Sequence, residues 1–239
     1  MEKVIIILRG TPGDEGWCTR LRTGVAQKLL DTGAPGVAIN VRDAAVSDSL
    51  MTLTTLNPPV TAFVSMWTDQ CYGDQTRMAI ALLSEVCEQL AAYLVTESVP
   101  LTPPHTEPGR RTPGFANVAL LRRPAELDQA TWLARWHNDH TKVAIETQAT
   151  FGYTQNAVVR ALTEESPPIS AIVEELFPIE AGSDLRAFFG ACDDTDLQER
   201  MERMVASTSR FVDNRDLDTV PTSRYVLRTP FASTATLQP

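Results

Sequence analysis

Cysteine is scarce and scattered. Cys18, Cys71, Cys87 and Cys192 are the four in 239 residues, and no two stand at C-x-x-C spacing. That leaves no zinc ribbon, no thioredoxin-like redox pair and no disulfide framework to read, and the thiols fit a reduced, cytoplasmic protein. Histidine is scarcer, with three residues. A metal site would have to combine His137 and His140 with Asp139 or Glu146, and no H-E-x-x-H or second ligand pair accompanies them, so no metal is expected. The turn Gly10–Thr11–Pro12–Gly13 lacks both G-x-G-x-x-G and the P-loop lysine, and no G-x-S-x-G is present. Nicotinamide, flavin and nucleotide phosphates therefore have no recognisable cradle, and no serine has a nucleophile's context.

Long apolar runs are missing too. Val4–Leu8 ends at Arg9, too short for a secretory core, and no run approaches the ~20 residues that span a bilayer. Nor is there an excess of positive charge. The net charge of −9 is spread evenly, with 7 basic and 11 acidic residues up to Pro100 and 14 and 19 after it. Without a basic stripe, nucleic acid and anionic membrane are poor partners.

What remains is the composition of a folded globular chain, 43% hydrophobic and 21% charged. Val4–Leu8 reads as a strand, Asp14–Leu30 as a helix, Val37–Val41 and Val60–Trp67 as strands, Gln75–Leu90 as an amphipathic helix and Ala92–Val99 as a strand. The prolines and glycine of 101–113 exclude helix interior and central strand, which makes this segment a linker. The pattern then repeats. Phe115–Leu121 is a strand, Asp128–Thr147 a helix capped by Asp128, and Thr150–Leu162 and Ser170–Phe177 are strands. Ser183–Arg210 is helical with a break near Asp193 and Asp194, Ser223–Arg228 is a last strand, and a loose tail follows Thr229.

Two β-α-β-β-α-β units in series describe an α+β chain of tandem ferredoxin-like halves, 1–100 and 114–239, joined by 101–113. Strands such as Val4–Leu8 and Phe115–Leu121 are apolar on both faces, so both faces need cover, and two sheets closing on each other into an α/β barrel supply it.

The stretch Trp132–His140 concentrates two of the four tryptophans and two of the three histidines. On a helix Trp132, Trp136 and His140 share one stripe, while His137 turns toward solvent. His140 has two readings, a proton-transfer group with an ordinary pKa near ~6.5 or a packed histidine at a helix end. Trp132 and Trp136 read as core or as substrate wall. Tyr153 and Gln155 share a strand face.

The second half resembles the EthD family. The resemblance rests on Ala119–Leu120–Leu121–Arg122–Arg123–Pro124, on Trp136-x-x-x-His140, on Tyr153–Thr154–Gln155–Asn156, and on Ile172–Val173–Glu174 before Leu176–Phe177. These occur in the family's order, although Thr141 and Lys142 replace the alanine and proline that often follow the histidine, and the first half has no copy of the motif. The family pairs ferredoxin-like units as dimeric α/β barrels. The resemblance implies an enzyme of oxidoreductase, monooxygenase or cyclase and decarboxylase type, working without a cofactor on a small apolar or aromatic molecule. It makes His140 and Tyr153 the catalytic candidates and Trp132, Trp136, Gln155, Glu174 and Arg122 the substrate-binding ones, with a homodimer open to the chain. A non-catalytic binding or accessory protein and a haem protein resembling chlorite dismutase are the alternatives.

Overall fold

The computed structural model describes residues 1–231 other than Pro12 and Asn214, so most of the tail beyond Thr229, residues 232–239, lies outside the described residues. The first half contains β1 (Glu2–Arg9), α1 (Glu15–Arg20), α2 (Ala26–Asp31), β2 (Gly36–Val41), β3 (Val60–Thr68), α3 (Asp74–Ser84) and β4 (Gln89–Leu101). The second contains β5 (Phe115–Leu121), α4 (Gln129–Ala134), α5 (Thr141–Thr147), β6 (Gly152–Ala161), β7 (Ala171–Phe177), α6 (Leu185–Phe189), α7 (Asp194–Thr208) and β8 (Leu217–Arg228). A π-helical turn joins α1 to α2 (Leu21–Val25) and another joins α4 to α5 (Arg135–His140).

The eight strands form one closed antiparallel barrel in the order β1-β3-β2-β8-β5-β7-β6-β4. Each half contributes the ferredoxin-like order, β4-β1-β3-β2 and β8-β5-β7-β6, and the seams β2·β8 and β4·β6 close the ring. Closure explains the doubly apolar strands. On β1, Val4, Ile6 and Leu8 pack under the helices while Ile5 and Ile7 fill the barrel interior with Phe63, Val118 and Leu120. Both faces of β1 and β5 are covered, and among the described residues the closed ring leaves no free sheet edge.

Helix starts follow the capping residues. Asp14 accepts from Trp17 N at 2.7 Å, Asp128 from Thr131 N at 2.9 Å and Asp193 from Asp196 N at 2.9 Å, each contributing about 1 kcal/mol. The amphipathic helix expected over Gln75–Leu90 ends at Ser84, because Gln89 and Leu90 are taken into β4 opposite Arg9 and Leu8. The strands expected over Ala92–Val99 and Ser223–Arg228 are both longer, since β4 and β8 each carry a seam and must reach two neighbours. Among the described residues no helix is long and apolar enough to cross a membrane.

Candidate functional site

The site develops where the helix layer of the second half meets the sheet. Three neighbouring strands place one polar residue each in a single row, with Asn117 on β5 paired to Glu175 on β7 and Glu175 paired to Tyr153 on β6. All three are buried, at 4%, 8% and 2% exposure. Above the row runs the helix that carries Trp136 and His140, and α7 and Phe211 close the far side. Together they enclose a cavity of about 360 Å³, walled by Ala119, Leu121, Val173, Phe188, Met204 and Phe211.

The π turn shapes this roof. At Trp136 the carbonyl accepts from Thr141 N, five residues on, and also from Thr141 Oγ1 at 2.9 Å. Gln155 Nε2 donates to that hydroxyl at 2.8 Å, and Ser98 Oγ donates to Gln155 Oε1 at 3.0 Å. Gln155 therefore clamps the π turn to β6 and β4. Such turns recur at functional sites because one extra residue re-aims the side chains around it. Here Trp136 and His140 both reach the cavity.

Burial sets the electrostatics. It raises the Glu175 carboxyl to about 8, so the group is protonated at neutral pH. Gln148 is the amide beside it, donating to Glu175 Oε1 at 3.1 Å and to Ala144 O at 3.3 Å. Burial lowers His140 to about 4 and raises the Tyr153 phenol, so at neutral pH both are uncharged. The imidazole shares a 3.0 Å hydrogen bond between Nδ1 and Ser207 Oγ and packs on Phe211 at 4.8 Å between centroids. Two buried polar atoms of cavity residues have no partner, the donor Trp136 Nε1 and the acceptor Asn117 Oδ1. Orphaned buried groups of this kind are rare; the Trp136 indole lies beside the Tyr153 hydroxyl, which leaves Asn117 Oδ1 as the acceptor without a partner.

Of the residues singled out in the sequence, Trp136, His140 and Tyr153 come together at this cavity. Trp132 does not border it; the indole is buried beside Trp136, 5.2 Å between centroids, and donates to Phe211 O at 2.8 Å. Arg122 is held by Asp218 at 2.8 Å and Asp216 at 3.2 Å, and Asp218 also accepts from the Thr55 and Leu56 amides, so this arginine fastens a loop. Glu174 faces the barrel interior and pairs with Arg224 at 2.8 Å. His137 does not turn fully to solvent. It is half-buried, with its ring edge against Trp136 at 4.4 Å between centroids. Glu175, which the sequence reading passed over, is the carboxyl at the cavity. The signal was the pair Glu174–Glu175 inside Ala171–Phe177: in a strand covered on both faces, alternation sends one of two adjacent carboxyls under the helices.

No family model matches the chain, and no curated protein matches it in sequence. Its shape does have likenesses. A solved anthrone oxidase-like protein superposes with a TM-score of 0.56 at 10% identity, over 99% of this chain and 97% of the other. A proposed monooxygenase from Lactobacillus acidophilus NCFM superposes at 0.50 and 10% identity, over 95% and 96%. The fold is that of the tandem ferredoxin-like α/β barrels. At this identity the likeness extends to the whole architecture and to nothing finer.

Proposed function

We propose that the chain is an EthD-like enzyme that moves a proton on a small, largely apolar aromatic molecule in the helix–sheet cavity, without nicotinamide, flavin or metal. The observation that carries this reading is the buried Glu175 carboxyl, in one row with Asn117 and Tyr153 at the wall of a cavity lined mainly by apolar side chains. The group is protonated at neutral pH, and its ionised form, populated as pH rises toward about 8, takes the proton from a C–H beside an aromatic ketone. Charge then builds on the ketone oxygen, where the Tyr153 hydroxyl, with the Trp136 indole beside it, is the donor. His140 serves as a neutral hydrogen-bonding group, since its burial disfavours the imidazolium.

The printed description of the anthrone oxidase-like neighbour suggests a concrete probe. Anthrone loses a methylene proton to give an electron-rich anion, and that anion reduces dioxygen. One oxygen atom becomes the second quinone oxygen and the other leaves as water, so anthrone and O₂ yield anthraquinone and H₂O. Cyclisation and decarboxylation of polyketide-like substrates begin with the same kind of proton transfer.

A haem fits poorly. Among the described residues bordering the cavity there is no arginine or lysine to meet propionates, and a buried carboxyl stands in the wall. A homodimer would have to form on the helices, for instance along α7 where Met201 and Val205 are exposed, because the barrel is already closed.

Deuterium exchange at the anthrone methylene, followed anaerobically, tests the proton step apart from oxidation. Wild-type protein should accelerate exchange and Glu175→Gln should lose about 10²–10⁴-fold of that acceleration. Exchange unaltered by Glu175→Gln would remove Glu175 from the chemistry. Tight binding with no acceleration by the wild type would leave a binding protein, and a Soret band in the purified protein would overturn the reading.

A further inference from the structure

The barrel itself holds a second cavity, on the opposite side of the sheet from the first. Its volume is about 310 Å³. Its floor is the apolar interior, Ile5, Phe63, Val118 and Ile172, with Trp67 on one side. The proline-rich segment around Pro103–Pro108 and the stretch Thr229–Phe231 roof it over. The roof is fitted to the barrel at two glycines. A Cβ on Gly36 would lie 2.6 Å from Pro230 and 2.7 Å from Trp67, and one on Gly152 would lie 3.2 Å from Pro103. Phe231 then meets Trp67 edge to face at 6.2 Å.

The polar groups of this cavity are specific. Lys3 pairs with Glu97, Arg224 with Glu174, and the Lys3 ammonium sits 4.7 Å from the centre of the Trp67 ring. These two cations and two anions pair off, and Arg228, exposed at the rim, is a third cation that donates to the Leu30 and Ala34 carbonyls at 3.4 and 3.0 Å. Below that rim a charged ligand would have to break a closed pair, which is costly where the groups are desolvated. The open valence lies deeper. Asn156 is 2% exposed, its Nδ2 donates to Ile172 O at 3.0 Å, and its Oδ1 has no partner. That oxygen asks for an N–H or O–H.

We propose that the barrel interior is a second binding site, for an uncharged, flat, mostly apolar molecule with one hydrogen-bond donor directed at Asn156 Oδ1. It stands independently of the chemistry at Glu175. The two cavities share the sheet between them. Residues alternate across it, so that Glu174 serves one and Glu175 the other.

The test uses N-phenyl-1-naphthylamine, an uncharged two-ring-system amine with one N–H that fluoresces in apolar surroundings, titrated into the full chain. Ser65→Phe fills the barrel cavity and Ala119→Phe fills the helix–sheet cavity. Binding should weaken at least about 10-fold in the first and persist in the second. Thermal melts confirm folding, and Ala38→Leu replaces Ser65→Phe if the latter melts early. The N-methyl derivative, which lacks the donor, should bind wild type about 10-fold more weakly, the effect of leaving a buried acceptor unpaired. The anionic 1-anilinonaphthalene-8-sulfonate should bind more weakly than the neutral amine. No binding of the neutral amine, loss of binding with Ala119→Phe, equal affinity for the N-methyl derivative, or tighter binding of the sulfonate would each overturn the proposal.

Discussion

The two halves of the barrel present the same sheet face to their helices and differ at three positions that matter. In the first half the paired rows of β1 and β3 are Leu8–Ala62, Ile6–Val64 and Val4–Met66. In the second, the rows of β5 and β7 are Leu121–Ala171, Ala119–Val173 and Asn117–Glu175. Where Ile6 fills the first half, Ala119 leaves room; where Val4 and Met66 meet, Asn117 and Glu175 meet. The first half is packed shut around Leu21, Leu29, Val64 and Leu83. The second keeps a cavity with a carboxyl in its wall. One fold thus serves as a closed support in one copy and as a chamber in the other, and the difference lies in side-chain volume and polarity along two strands.

The largest effect expected from this comparison is the cost of opening the closed half. Ile6 is fully buried, and Ile6→Ala should lower unfolding free energy by about 2–5 kcal/mol, as a cavity forms that its neighbours cannot fill. The reciprocal change, Ala119→Ile, adds its atoms to space already present, so stability should move by less than about 1 kcal/mol while aromatic ligand binding in that cavity is lost. Denaturant melts of the two variants decide it. A loss from Ala119→Ile as large as that from Ile6→Ala would mean that the second half is packed like the first.

A smaller effect distinguishes the halves through pH. Glu175 stays protonated in the folded chain up to about 8 but ionises near 4.5 when unfolded, so its contribution to stability is lost as pH rises through that window. His140 works the other way. It is neutral when folded down to about 4 but binds a proton near 6.5 when unfolded, so its contribution falls as pH falls. The slopes oppose each other between about 4.5 and 6.5, and only the loss from Glu175 remains between about 6.5 and 8, where stability should decline by up to about 2 kcal/mol. Glu175→Met, which copies the closed half, should abolish that decline. A decline that survives the substitution would place the titrating group elsewhere.

Much of this was legible from residue pattern alone. Doubly apolar strands such as Val4–Leu8 demanded cover on both faces, and that demand is the barrel. Asp128 marked a helix start because an acceptor side chain is needed where backbone N–H groups are free. What escaped was set by long-range geometry. Gln75–Leu90 has an amphipathic pattern throughout, yet its last residues were claimed by pairing with Leu8 and Arg9. His137 is half-buried within a π turn, which periodicity at 3.6 residues cannot show. Glu174 and Glu175 are adjacent and alike, and only the direction of the pleat separates a barrel-side ion-pair carboxylate from a helix-side acid.

The finest test compares one residue type at matched places. Val64 and Val173 occupy equivalent rows, both buried and both under helices, one packed on all sides and the other bordering the cavity. Val64→Ala deletes two carbons from dense surroundings and should cost about 2–3 kcal/mol. Val173 already lacks neighbours toward the cavity, so fewer dispersion contacts disappear with it, and Val173→Ala should cost about 1 kcal/mol less. Adding a neutral aromatic ligand to the Val173→Ala variant should narrow the shortfall in melting temperature relative to wild type only if the ligand sits against that wall. Equal costs at the two valines would mean that the chamber closes on itself in solution, and its open form would then depend on the ligand.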